Sequence, residues 1–122
     1  MKVWRVEADH VGTDIGKSHI TSESSGYFAT KSKRAAAKIA AYIILSAWEY
    51  DGTLPWNFKV LEIEAERWRP PRPEEKSGYN KLLDEDEIIV EKGKIVREYK
   101  LEDLKKLFTR EELGELVWTL VL

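Results

Sequence analysis

Apolar and polar positions along this chain fall into runs with distinct periods. The opening MKVWRVEA alternates: Trp4, Val6 and Ala8 lie on one side, Val3, Arg5 and Glu7 on the other, which predicts a strand. Residues 10–26 are polar and rich in Gly and Ser, with room for one short strand around 19–22. A loop of that length inside a small domain is usually functional or mobile. From 31 to 50, KSKRAAAKIAAYIILSAWEY predicts a helix on alanine propensity, with Thr30 or Ser32 as its cap and Asp51-Gly52 as its stop. At roughly 100° per residue, Lys31, Arg34, Lys38, Tyr42 and Glu49 share one narrow stripe. The rest of the girth is apolar, so the helix is expected to be wrapped on most sides. A sheet would cover one side, and the C-terminal helices or a second copy of the chain the other.

NFKVLEIEAERW is the second strong strand. Leu61, Ile63 and Ala65 alternate with Glu62, Glu64 and Glu66, and the break at Val60-Leu61 predicts a bulge or a strand end buried on both faces. Prolines 70, 71 and 73 then force an extended connection. EIIV and KIVREY, either side of Glu91-Lys92-Gly93, read as a hairpin whose glycine supplies a positive φ. LEDLKKLF reads as a short amphipathic helix. TREELGELVWTLVL reads as another, opened by a capping box of Thr109 and Glu112. Its apolar face is Leu113, Leu116, Val117, Leu120 and Val121. The expected class is therefore α+β: a small, mostly antiparallel sheet with one long buried alanine-rich helix and two short C-terminal helices. The single domain, 1–122, divides into a β-α-β half (1–68), a Pro-rich connection (69–78) and a hairpin plus helices (79–122).

Composition narrows the chemistry. With 122 residues the chain buries about two-thirds of its extended surface, enough for a core without staples. The absence of cysteine removes disulfides, thiolate metal sites and cysteine nucleophiles. A net charge of −2 argues against wholesale neutralisation of nucleic-acid phosphates. No apolar run is long enough to span a membrane, and no signal-type apolar region opens the sequence, so a cytoplasmic location without membrane association is expected. Charged residues make up 34% of the chain, Gln is absent and Met occurs once; that bias points to a thermophile origin.

Four stretches invite functional readings. Residues 12–18, GTDIGKS, have three residues between the glycines where a phosphate loop needs four, and no helix pattern follows. His10 and His19, the only histidines, lie close to Asp9 and Asp14 in sequence. Their spacing matches no metal-ligand pattern, so no metal is expected there. Trp56, Phe58, Lys59, Arg67, Trp68, Arg69 and Arg72 interleave aromatic and basic side chains as a single-strand nucleic-acid surface does. Glu62, Glu64, Glu66, Glu74 and Glu75 oppose that reading. Finally, Asp84, Glu85, Asp86 and Glu87 concentrate negative charge just before a strand, either as a solvated turn or as carboxylates presented for chemistry.

Arg5 in VWRV, Thr21 and Ser22 in HITSES, SGYFATKSKRAAA, and Glu85-Asp86-Glu87 before IIVEKGKIV together resemble the marks of the ADP-ribosyltransferase superfamily. That resemblance implies NAD as cofactor, with Arg5 on the dinucleotide phosphates and Tyr27 stacked on nicotinamide. Glu87 would stabilise the oxocarbenium-type charge as nicotinamide leaves, and Glu85 would orient the acceptor. His19 fits the superfamily's histidine-first variant, and Thr21 and Ser22 its second strand.

Without a nucleophile–base pair, a ligand cluster or a phosphate cradle, the first expectation is a small non-catalytic interaction or regulatory protein that needs no cofactor. Its partner is another protein or a second copy of itself, as a homodimer. An NAD-binding transferase and a single-stranded nucleic-acid binder are the alternatives.

Overall fold

The computed structural model describes residues 1–9 and 19–121. Four strands form the frame: β1 (Lys2–Asp9), β2 (Tyr27–Thr30), β3 (Trp56–Arg69) and β4 (Glu87–Lys100). All their pairings are antiparallel, in the order β1-β2-β4-β3, and β3 closes back onto β1. The five α-helices among the described residues are α1 (Lys33–Asp51), α2 (Asn80–Leu83), α3 (Leu104–Leu107), α4 (Arg110–Leu113) and α5 (Glu115–Leu120).

The α+β composition is as expected, but the architecture is not. A closed barrel stands where a small, mostly antiparallel sheet with α1 on one side and the C-terminal helices on the other was expected. The cause lies in β4. Glu91-Lys92-Gly93 does not turn; the strand runs straight through it for 14 residues against the equally long β3. Gly93 sits opposite Ala65 without a positive φ. A Cβ there would meet Val90 Cγ1 at 3.0 Å and the Glu64 carbonyl oxygen at 3.2 Å, so the glycine permits a close approach of two strands and not a turn. Register shifts after Glu62 and around Arg67 coil the long ribbon. β3 thereby reaches β1 along one edge while β4 pairs with the short β2 along the other.

Closure divides the apolar residues into an inside and an outside. Val3, Tyr27, Ala29, Leu61, Ile63, Ala65, Ile88 and Val90 fill the barrel. Trp4, Val6, Ala8, Phe58 and Val60 face outward and meet α1 together with Leu104, Leu107, Phe108, Leu113 and Val117 of the C-terminal helices. Val60 and Leu61 are both fully buried because one lies under α1 and the other inside the barrel; burial on both faces is as expected, but the pair sits within β3 and not at a strand end. The C-terminal helices share the α1 side, since the other face of the sheet is now the barrel interior. They number three, not two. Gly114, at φ 90 and ψ 154, separates α4 from α5 and leaves Leu116 59% exposed. Residues 19–22 form no strand.

The expected helix forms as α1, 19 residues long. Ser32 Oγ accepts from the Ala35 amide at 3.0 Å, and Gly52 ends the helix with its N–H on the Trp48 carbonyl. The buried positions, Ala35, Ala36, Ala37, Ile39, Ala40, Ile43, Ile44 and Ala47, cover roughly 200° of the girth. α1 is therefore not the long rod wrapped nearly all round: Ala41 and Leu45 are half-buried, Tyr42 is 50% exposed and Trp48 46% exposed.

The Pro-rich connection is clasped to the barrel by ionic contacts. The Arg69 guanidinium donates to both Glu75 carboxylate oxygens, at 2.6 and 2.5 Å, and to Glu91 at 3.4 Å. The Arg69 bonds, helped by the Arg72 amide, hold the Glu75 carboxyl at about 2, and Glu75 in turn raises Arg69 above its ordinary value. A carboxyl lowered by folding stabilises fully above its unfolded value, near 4.5, and loses that contribution as pH falls through the folded value. Thermal melts should therefore show an acid-labile component between about pH 4.5 and 2. Glu75→Gln should remove that component while leaving the melting temperature at pH 7 less sensitive to further acid; an unchanged acid limb would show that the clasp contributes nothing.

Candidate functional site

The interior face of β1 carries two charged residues, and the closed barrel gives them no route to solvent. Arg5 is 5% exposed and Glu7 1%. Arg5 stands opposite Leu61 on β3, Glu7 opposite Lys59. Such charges are tolerated only when paired and hydrogen-bonded. Arg5 Nε donates to Glu7 Oε2 at 3.1 Å and Arg5 Nη1 to the Phe28 carbonyl at 2.9 Å. The same guanidinium lies 5.1 Å from the Phe28 ring centroid and 5.9 Å from that of Tyr27, within cation–π reach of both. Burial pushes the Tyr27 hydroxyl upward, with the Arg5 charge opposing.

Glu7 links this interior pair to the barrel rim. Its Oε2 also accepts from the Ile20 amide at 2.8 Å, which seats Ile20 against the interior core. Its Oε1 has no hydrogen-bond partner among the described residues and lies 3.5 Å from His19 Nδ1. His19 Nε2 meets Asp9 Oδ1 at 2.9 Å, and the Asn57 amide donates to Asp9 Oδ2 at 2.6 Å. Asn57 holds φ 51, a left-handed conformation that asparagine tolerates better than most residues, and this places its amide on Asp9. The Asn57 bond first, and His19 second, keep the Asp9 carboxyl below its ordinary value. The result is a line of polar side chains, Arg5–Glu7–His19–Asp9–Asn57, running from the barrel interior to its edge. Glu7 and Asp9 occupy opposite edges of the imidazole, so the three do not converge on a point that could hold a metal; among the described residues no three potential ligands do.

The structure brings together Arg5, His19 and Tyr27 of the residues singled out from the sequence, with Glu7 as their link. It places the others elsewhere. Thr21 is engaged in a turn with Ser24, whose Oγ accepts from the Thr21 amide at 2.8 Å. Ser22 lines an open cleft of about 880 Å³ beside Gly93 and Val96. Glu87 is 2% exposed and accepts from the Ser77 amide at 2.8 Å. Its cross-strand partner is Thr30, whereas Tyr27 pairs with Val90. Cross-strand partners share a face and successive residues alternate, so Glu87 and Tyr27 lie on opposite faces of the β2–β4 ribbon. Glu85 is exposed in a 3-10 turn. The neighbouring Asp86 binds the start of α1, through Ser32 Oγ at 3.2 Å and the Lys31 amide at 2.9 Å.

The aromatic and basic run does not form one surface. Phe58 is buried, and Trp56 and Trp68 stand near opposite ends of β3, ~40 Å apart along the strand. Arg67 faces Glu91 at 3.6 Å, Arg69 and Arg72 face Glu75, and Lys31 lies over the Trp68 ring. Residues 12–18, His10 and Asp14 lie outside the described residues.

Two features escaped the sequence reading. Glu7 was legible only as the polar side of a strand, although an Arg and a Glu two apart among apolar neighbours are suited to pairing on one face. The outer stripe of α1 holds Leu45 and Trp48 as well as Arg34, Lys38, Tyr42 and Glu49, because the barrel covers only one side. In comparisons with known proteins, the chain matches no family model, no curated protein and no solved structure.

The ionic pair gives a direct test. Glu7→Leu leaves the buried Arg5 charge without its carboxylate and should cost about 3–5 kcal/mol in urea denaturation, whereas Arg5→Met combined with Glu7→Leu should regain most of it. A single substitution costing under about 1 kcal/mol would show that the pair is solvated.

Proposed function

We propose that this chain is a small non-catalytic interaction protein that works through the outer face of α1. The observation that carries the reading is the half-exposed Trp48 on a helix whose other side is locked into the core. Tyr42 and Leu45 lie on the same side of the helix. Large aromatic residues on a rigid element, half out of water and ringed by charge, are what binding surfaces present. Arg34 and Lys38 at one end, and Glu49 at the other, supply that charge.

A photo-reactive side chain placed at position 45, in extracts of the source cell, tests this reading. It should give protein adducts that vanish when Trp48→Glu is added, while the same group at the exposed Val96 gives none that depend on Trp48. Equal labelling from both positions, or none from 45, would refute it.

One observation favours a second reading, an NAD-binding transferase of the ADP-ribosyltransferase kind. Arg5 lies 5.9 Å from the Tyr27 ring centroid, so the two residues that reading assigns to phosphate and nicotinamide are neighbours, although both are buried. The separation of Glu87 from that pair weighs against it. Incubating the pure protein with NAD separates the readings. Release of nicotinamide that Glu87→Gln abolishes would promote the second; intact NAD with no binding at millimolar concentration would retire it.

A further inference from the structure

We infer that the partner received by the α1 face is a second copy of this chain, docked across a two-fold axis with the two α1 helices antiparallel. The inference rests on the interaction reading and adds the occupant. Its ground is the order of charges along the stripe. Arg34 and Lys38 lie toward the N-terminal end and Glu49 toward the C-terminal end, and all three are exposed. Ala41, Leu45 and Trp48 lie between or among them.

A two-fold axis pairs unlike positions symmetrically about a centre. With that centre between Ala41 and Tyr42, residue 34 of one copy faces residue 49 of the other, and 38 faces 45. Arg34 then meets Glu49 twice in each dimer. The Lys38 stem lies along Leu45, and Trp48 falls between Arg34 and Lys38 of the partner, where either cation can approach its ring. Ala41 puts the smallest side chain at the crossing, which lets the two helix backbones approach closely. A parallel arrangement would instead set Arg34 against Arg34 and Glu49 against Glu49, so the charge order selects the antiparallel one. Antiparallel macrodipoles add a small favourable term.

The seam spans residues 34 to 49, ~22 Å of helix. A single helix pair of that length falls short of the ~800 Å² per partner of a standard interface. Association is therefore expected in the range of tens of micromolar, on the order of −6 kcal/mol, with protein at lower concentration largely monomeric.

Sedimentation velocity from about 10 to about 500 µM tests the register as well as the dimer. Arg34→Glu and Glu49→Arg, both at exposed positions, should leave the thermal melt in place. Each alone should weaken self-association by about tenfold, because each sets two like-charge contacts across the axis. An equimolar mixture of the two variants should restore association to within about threefold of the unmodified protein, because both contacts are again between opposite charges. A protein that stays monomeric throughout, or a dimer indifferent to both charge reversals, overturns the inference. A monomer that still gives Trp48-dependent adducts with other proteins overturns the second copy as occupant and leaves the interaction reading standing.

Discussion

The pairing of β3 with β4 along their whole length governs this molecule. Two coiled 14-residue strands leave free edges that the short β1 and β2 can bridge, and the bridge closes a barrel of only four strands. Its interior holds the apolar side chains of all four strands together with Arg5 and Glu7. The close contact at Gly93, where a Cβ would press on the facing backbone, lies at the centre of that pairing. Everything outside the barrel is then obliged to gather on one side, because the other face of every strand is already interior.

Closure also decides which polar residues meet. Arg5 and Glu7 lie on the inner face of β1 and are forced into contact because neither can reach water. Tyr27 comes to the same space from β2, and Ile20 enters behind Glu7 through a backbone bond. Glu87 is only three residues from the strand partner of Tyr27, yet parity puts it on the outer face beside Thr30. The separation of the residues that the transferase resemblance would unite follows from this one property of a β-ribbon.

The helix layer shows the same constraint from outside. α1 presses its alanine and isoleucine side onto the barrel and onto Phe108, Leu113 and Val117, which occupy its flank. With the C-terminal helices beside it and not over it, the rest of its girth is covered only in part within the chain: Ala41 and Leu45 are half-buried, and Tyr42 meets the Tyr79 ring edge-on. Arg34, Lys38, Tyr42, Leu45, Trp48 and Glu49 consequently form a surface, and their charge order gives that surface a direction.

Local patterns were enough to define β1, β3, α1 and the start of α4. Alternation marked β1 and β3, alanine propensity with Ser32 and Gly52 marked α1, and Thr109 with Glu112 marked α4, because each depends on neighbours a few residues apart. The same patterns could not say that β4 passes straight through Gly93, that β3 returns to β1, or which face of each strand becomes interior. Those outcomes depend on contacts between residues tens of positions apart, where period and propensity are identical for an open sheet and a closed one. Only packing in three dimensions, which weighs a buried Arg–Glu pair and a half-bare helix against a sealed barrel, decided between them.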